Sequence, residues 1–391
     1  RDAMEESVIE YRTIIQDDLA DDDDIIGAGQ LARMMIQAAV SLNIDVRILA
    51  KTPNDSAALI APSVEIGDPS DAQAIVSFGE SCDFITLDHE LVSLAGLESL
   101  LASKVSVQPT PKTLRFAQDK LYQRKSFQAA GFPVPSFKKI QILDDFVEFG
   151  NLYGWPMAVK AITGGYDGRG VWIIDNLEAA KKLLTETQGA DISLYAEEHV
   201  KIEKELAVLV ARRPSGQLLT YPVIETRQED GICHEAIAPA QISNSVAQRA
   251  RKIGVDVAEF TEAGGIVAIE LFLKSDGVIL INEIATRPHN SGHFTIDGTI
   301  TSQFENHLRG VMDWPLGSTT MTSKFALMIN ILGTSEVDPS NQLPLNHTAD
   351  TAIHLYGKIA RTGRKLGHIT SVGENVETVY RSAQELMRHL Q

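Results

Sequence analysis

Two apolar runs, Gly265-Ile266-Val267-Ala268-Ile269-Glu270-Leu271-Phe272 and Val278-Ile279-Leu280-Ile281-Asn282-Glu283, flank the turn Lys274-Ser275-Asp276-Gly277. Short apolar runs separated by such a turn predict a β-hairpin. Each run is interrupted by one carboxylate, Glu270 or Glu283, and burying an unpaired charge is expensive. The hairpin brings the two acids into one site, where magnesium held between carboxylates and nucleotide phosphates resolves that cost.

A second strand pair points the same way. Met157-Ala158-Val159 leads through Lys160-Ala161-Ile162-Thr163-Gly164-Gly165-Tyr166-Asp167-Gly168-Arg169-Gly170 into Val171-Trp172-Ile173-Ile174. The glycines remove side chains that would keep backbone N–H groups from phosphate oxygens, while Lys160 and Arg169 supply positive charge. The spacing matches neither G-x-x-x-x-G-K-[ST] nor a kinase G-x-G-x-x-G.

Nearer the start, Asp24-Ile25-Ile26-Gly27-Ala28-Gly29-Gln30-Leu31-Ala32-Arg33-Met34-Met35 reads as a short strand, a tight turn and a helix start. Leu31, Met34, Met35 and Ala38 share one helical face. G-x-G-x-x-A fits a dinucleotide-type fingerprint. The next strand, Val46 to Ala50, ends at Lys51-Thr52 instead of the acid a nicotinamide site wants, so the turn is predicted to seat a phosphate without NAD. Ala74 to Phe78 and Asp83 to Leu87 continue the strand–helix alternation, the latter ending in Asp88-His89-Glu90. Charged residues just past a strand's carboxyl end sit where open α/β sheets bind ligands. Thr113 to Gly131 and Leu177 to Thr187 are predicted helices, and Leu218 to Glu225 with Gly231 to Ala238 an antiparallel strand pair.

At 391 residues there is room for two or three domains. A net charge of −17 disfavours a nucleic-acid partner. The acidic run of Asp17, Asp18 and Asp21 to Asp24 reads as solvated surface. Cys82 and Cys233 fit neither zinc spacing nor a disulfide framework, which suits a reducing cytoplasm. No apolar run approaches the roughly 20 residues that span a bilayer, and the first residues lack a secretory pattern. A cytoplasmic protein without membrane or nucleic-acid partners is expected.

The glycine loop from Lys160 to Gly170 resembles the phosphate loop of the N5-carboxyaminoimidazole ribonucleotide synthetase family, within the ATP-grasp superfamily. Asn282-Glu283-Ile284-Ala285-Thr286-Arg287-Pro288-His289-Asn290-Ser291-Gly292-His293 is similar to that family's Asn-Glu-x-Ala-Pro-Arg-x-His-Asn-Ser-Gly-His, with Thr286 in place of a proline. The Gly27 to Met34 turn is similar to its opening turn, departing at Ala28 and Ala32. The resemblance runs in order from about residue 25 to 370.

The resemblance implies a mixed α/β and α+β fold: a Rossmann-like first domain at 25–110 after an acidic extension at 1–24, then ATP-grasp subdomains at 111–196 and 197–391, the last including a basic turn. ATP is implied at Lys120, Lys160, Gly165, Tyr166, Asp167, Gly168, Arg169, Gly170, Glu197, Glu198, Val200, Glu205, Asn282 and Glu283. Gln228 stands where the family has a histidine. The ribonucleotide is implied at Gly29, Gln30, Leu31, Asp88, Glu90, Tyr166, His289, Asn290, Ser291, Lys358, Arg364 and Lys365. Catalytic roles fall to Arg287, Asp167, Arg169 and Lys358, and magnesium to Glu270 and Glu283. The implied reaction is ATP-driven carboxylation of 5-aminoimidazole ribonucleotide by bicarbonate, through carboxyphosphate, in purine biosynthesis by a homodimer. Another purine-pathway ATP-grasp ligase, or a nucleotide binder without turnover, is the alternative.

Overall fold

The computed structural model describes residues 22–164, 170–229, 231–333, 349–388 and 390. Three sheets organise them. The first contains β1 (Asp22–Ile26), β2 (Asp45–Ala50), β3 (Ser63–Ile66), β4 (Phe84–Leu87) and β5 (Ser106–Val107) in the order β3-β2-β1-β4-β5, all parallel. Parallel neighbours need crossover connections, here carrying helices Gln30–Leu42, Ala72–Gly79 and Leu94–Ala102. The helix Gln30–Leu42 buries Leu31, Met34 and Met35 on its inner face, as the apolar spacing predicts, whereas Ala38 is only half-buried. β1 begins two residues before the Asp24 suggested by its apolar pair.

Ala74 to Phe78, expected as a strand, lies within the helix Ala72–Gly79. Asp71 caps it by accepting from Gln73 N, and Ile75, Phe78 and Gly79 face inward at helical spacing.

The second sheet contains β6 (Phe137–Ile140), β7 (Met157–Ala161), β8 (Val171–Ile174) and β9 (Leu194–Glu198), antiparallel in the order β6-β9-β7-β8. Helices Leu143–Tyr153 and Leu177–Gly189 cover it around a core that includes Phe146, Phe149, Val159 and Leu183. Gly164 and Gly170, with φ of 78° and 75°, flank the glycine loop in the left-handed region that favours glycine. Gly165, Tyr166, Asp167, Gly168 and Arg169 lie outside the described residues.

The third sheet contains β10 (Ile202–Arg212), β11 (Leu218–Thr220), β12 (Ile224–Glu229), β13 (Ile232–Ala238), β14 (Gly265–Lys274), β15 (Ile279–Ala285), β16 (Phe325–Leu332), β17 (Thr351–Leu355) and β18 (Lys365–Gly373). Its order is β15-β14-β10-β12-β13-β16-β18-β17, with β11 paired to β10. The expected single strand from Leu218 to Glu225 is thus two, divided at Tyr221-Pro222-Val223, where proline removes a ladder donor.

The expected helix from Thr113 to Gly131 is also two, Pro111–Gln118 and Lys120–Ala129. Asp119 adopts an extended conformation between them and accepts from Tyr122 N at 2.8 Å, capping the second. Lys120 therefore opens a helix, with its own N–H bonded to Ile162 O at 2.9 Å. No helix among the described residues is long and apolar enough to cross a membrane.

Candidate active site

A cavity of about 1070 Å³ lies where the three sheets meet. That is at the upper end for a ligand pocket, with room for more than one small substrate.

On one side of the cavity, β14 and β15 pair in antiparallel register with Glu270 opposite Glu283, followed by a bulge. Both carboxylates stay partly open to the cavity, 19% and 38% exposed. Glu270 lies 3.2 Å from His289 Nε2 and accepts from Asn282 Nδ2 at 3.2 Å. Glu283 pairs with Lys120 Nζ at 2.6 Å. Burial pushes the Glu283 carboxyl up, but Lys120 outweighs it and holds the group at about 2. Burial likewise works against the Lys120 ammonium, yet Glu283 leaves it raised above the ordinary lysine value.

Behind these lies a second set of charges. Lys160, at the end of β7, bonds Asn282 Oδ1 at 3.0 Å and lies 2.8 Å from Glu197 Oε2. Glu197 also accepts from Arg124 Nε, and Arg124 donates onward to the Asn282 carbonyl. Arg124 and Glu197 are almost completely buried. Burial alone would raise the Glu197 carboxyl, but the charges of Arg124 and Lys160 bring it to about 2. Burial lowers the Lys160 ammonium. The Glu197 carboxylate is thus engaged in holding two cations, while the neighbouring Glu198 and Val200 line the cavity. Glu205 and Gln228 line it too. Burial, then the nearby Glu270 charge, push Glu205 up to about 7.

Two carboxylates and an amide oxygen are hard donors suited to magnesium. Among the described residues no cluster of three or more His, Cys, Asp or Glu is arranged to hold a metal. The pair Glu270 and Glu283 therefore fits a cation whose remaining ligands are phosphate and water oxygens.

On the other side lies the Gly27 turn. Gly29, Gln30 and Leu31 line the cavity with Asp88 and Glu90. Asp88 is buried, one oxygen accepting from Gly29 N and the other, Oδ1, without a hydrogen bond. Burial pushes its carboxyl up. A Cβ on Gly27 would sit 1.8 Å from Asp88 Oδ1, and one on Gly29 2.7 Å from Oδ2. The glycines thus admit a carboxylate as well as leaving backbone N–H groups at a helix start. Lys358 Nζ reaches Gln30 Oε1 across 328 positions of sequence. Lys365 lines the cavity, whereas Arg364 donates to Ile359 O at 3.0 Å within its own turn and is not part of the lining.

Arg287 joins the two sides. Its Nη2 donates to Glu90 Oε2 at 2.9 Å, and its Nε lies 2.8 Å from Glu90 Oε1. His289 Nδ1 meets Ser291 Oγ at 2.9 Å, and Ser291 is buried. Asn290 and Asn330 exchange amide hydrogen bonds of 3.0 and 2.7 Å, and Asn330 also donates to Cys233 O at 2.8 Å.

The ribonucleotide synthetase preATP-grasp domain matches residues 24–118, the ATP-grasp domain 125–304, and the phosphoribosylaminoimidazole carboxylase C-terminal domain 326–382. The N5-carboxyaminoimidazole ribonucleotide synthase of Mycobacterium tuberculosis is 41% identical over 371 residues, covering 93% of this chain and 86% of that protein. The chain belongs to the N5-carboxyaminoimidazole ribonucleotide synthase family. The Aspergillus clavatus carboxyaminoimidazole ribonucleotide synthase complexed with ATP superposes with a TM-score of 0.88 at 31% identity, over 95% of this chain and 98% of that one. The same fungal enzyme with ADP and 5-aminoimidazole ribonucleotide gives 0.87 at 30% identity, over 95% and 99%.

Three residues of the hydrogen-bond network around this cavity escape sequence reasoning. Arg124 looks like an ordinary helix cation, and Asn330 like one polar residue in an apolar strand. Gln303 holds His289 through its N–H and carbonyl at 2.9 and 2.7 Å. Only Arg124 carried a signal, its four-residue spacing from Lys120, which places both on one helix face.

Proposed function

We propose that the protein is an ATP- and magnesium-dependent ligase that carboxylates 5-aminoimidazole ribonucleotide with bicarbonate in purine biosynthesis. The observation that carries this reading is one cavity joining the Glu270–Glu283 pair, with Lys120 and Lys160, to Asp88, Glu90 and Arg287. Bicarbonate attacks the γ-phosphate of ATP, giving ADP and carboxyphosphate. The exocyclic amine then takes the carboxyl group and phosphate leaves.

Lys120 and Lys160 bind the nucleotide phosphates, with Asn282 orienting Lys160. Glu270 and Glu283 would hold magnesium, which would offset phosphate charge. Glu198, Val200, Glu205 and Gln228 surround the nucleoside. Arg287 holds the carboxyphosphate, for which its planar fork suits better than lysine. Asp88, Glu90, His289 and Asn290, with Ser291 orienting His289, face the aminoimidazole. The Gly29–Leu31 turn, Lys358 and Lys365 hold the ribose phosphate. The family resemblance supports Asp167 and Arg169, with Tyr166 and the loop glycines, in closing over the phosphates and excluding water. A homodimer in the cytoplasm completes the reading, and sedimentation velocity tests the dimer.

Bicarbonate labelled with oxygen-18 decides the chemistry. With both other substrates present, one label should pass to the released phosphate. Unlabelled phosphate under turnover would sink the carboxyphosphate route.

A further inference from the structure

The helix Gln303–Val311 packs between the first and third sheets, against β4 and the helix Gln30–Leu42 on one side and β10 and β14 on the other. Gln303 holds the His289 backbone. One turn further, His307 is fully buried. Its Nδ1 accepts from Ile266 N at 3.0 Å, so Nε2 carries the proton and donates to Thr86 Oγ1 at 2.7 Å. Ile266 lies on β14, the strand of Glu270. Thr86 lies on β4, just ahead of Asp88 and Glu90.

The approach is closely fitted. Gly265 has a φ of 86°, and a Cβ there would lie 2.6 Å from His307 Nδ1. A Cβ on Gly310 would come within 2.8 Å of Gly265 Cα. No strand pairing joins the first sheet to the third among the described residues. The imidazole is thus a hydrogen-bonded tie between two sheets that hold different substrates.

We propose that His307 is a positioning residue whose two ring nitrogens set the acids after β4 against the carboxylates of β14 and β15, keeping carboxyl transfer coupled to ATP cleavage. This rests on the ligase reading above. Carboxyphosphate that meets the amine gives the carboxylated amine and phosphate. Carboxyphosphate that misses it breaks down to carbon dioxide and phosphate. A slip between the sheets therefore wastes ATP before it weakens ATP binding.

The test measures phosphate released per carboxylated ribonucleotide formed. Thr86→Val keeps the branched shape and removes the acceptor of the His307 proton, and Thr86→Ser restores it. The valine variant should raise the ratio severalfold and raise KM for the ribonucleotide, with KM for ATP unchanged and a cooperative thermal transition retained. The serine variant should return the ratio towards one. A valine variant as tightly coupled as wild type overturns the proposal, whether or not turnover falls. So does loss of the folded state, which makes the contact only structural. Wild-type protein releasing phosphate with no carboxylated product overturns the ligase reading itself, and this inference with it.

Discussion

The side of the cavity proposed for the nucleotide and the side proposed for the ribonucleotide are built differently. On the nucleotide side, Arg124, Glu197, Lys160, Asn282, Lys120 and Glu283 form one connected set of ion pairs and hydrogen bonds. All come from the second sheet, the hairpin of the third and one helix between them. On the ribonucleotide side, Asp88 keeps a buried oxygen without a hydrogen bond, and Lys358 meets Gln30 from the far end of the chain. In the first arrangement every cation is already paired with a carboxylate before any ligand arrives. The second brings Asp88 and Lys358 together from opposite ends of the chain, through Gly29 and Gln30. Damage to the first should therefore appear in turnover and stability, and damage to the second in substrate affinity.

The largest effect should come from Glu283→Gln. A metal-held phosphoryl group gains several kcal/mol of charge stabilisation, so ATP turnover should fall about a thousandfold or more with the fold intact. Phosphate release near the wild-type rate would break the metal assignment, and unfolding would make the acid structural.

Next is Arg124→Met, which keeps length and removes charge. Leaving Glu197 with one cation in a buried site should cost about 3–5 kcal/mol of stability. Urea unfolding measures it, and a loss within error would show that the buried network is not what sets the nucleotide side apart.

Lys358→Ala should act on affinity instead. The KM for 5-aminoimidazole ribonucleotide should rise about tenfold to a hundredfold, about 1.4 kcal/mol per tenfold, with the ATP constant moving less. A rise for ATP alone would move the basic turn to the nucleotide side and reverse the comparison.

The smallest effect per step concerns the junction of the two sides. Burial holds His307 at about 3, against 6.5 for a free imidazole. The unfolded chain therefore takes up a proton below pH 6.5 that the folded protein refuses. The contribution is full above pH 6.5 and declines as pH falls towards 3, by about 1.4 kcal/mol per unit. Burial also lowers His293 and His368, whereas Glu197 and Glu283, held at about 2, lose their contribution only below about pH 4.5. Urea midpoints at pH 7.5 and 5.5 measure the slope, and equal midpoints would contradict it.

Local patterns in the sequence carried far where one physical rule dominates. The hairpin of β14 and β15 follows from apolar runs around a turn, and two acids on apolar strands imply a shared cation. The helix after Gly29 follows from its apolar spacing. Local reading failed where rules compete. Ala74–Phe78 has the apolar content of a strand, but the cap at Asp71 and inward spacing of Ile75 and Phe78 make it helical. Between Pro111 and Ala129 helix propensity runs without a visible break, yet Asp119 satisfies a new helix start with its own side chain.

By itself the sequence determined the elements that bear the chemistry, because periodicity, turn residues and interrupted apolar runs act over a few neighbouring positions. It also determined, through the order of its motifs, which family's chemistry to expect. Only the tertiary structure decided what each charge faces. Glu197 holds Arg124 and Lys160, Glu90 meets Arg287, Lys358 reaches Gln30, and His307 ties β4 to β14. Those pairings depend on burial and on distances between residues far apart in the chain, and electrostatic interaction strengthens as water is excluded from between the partners.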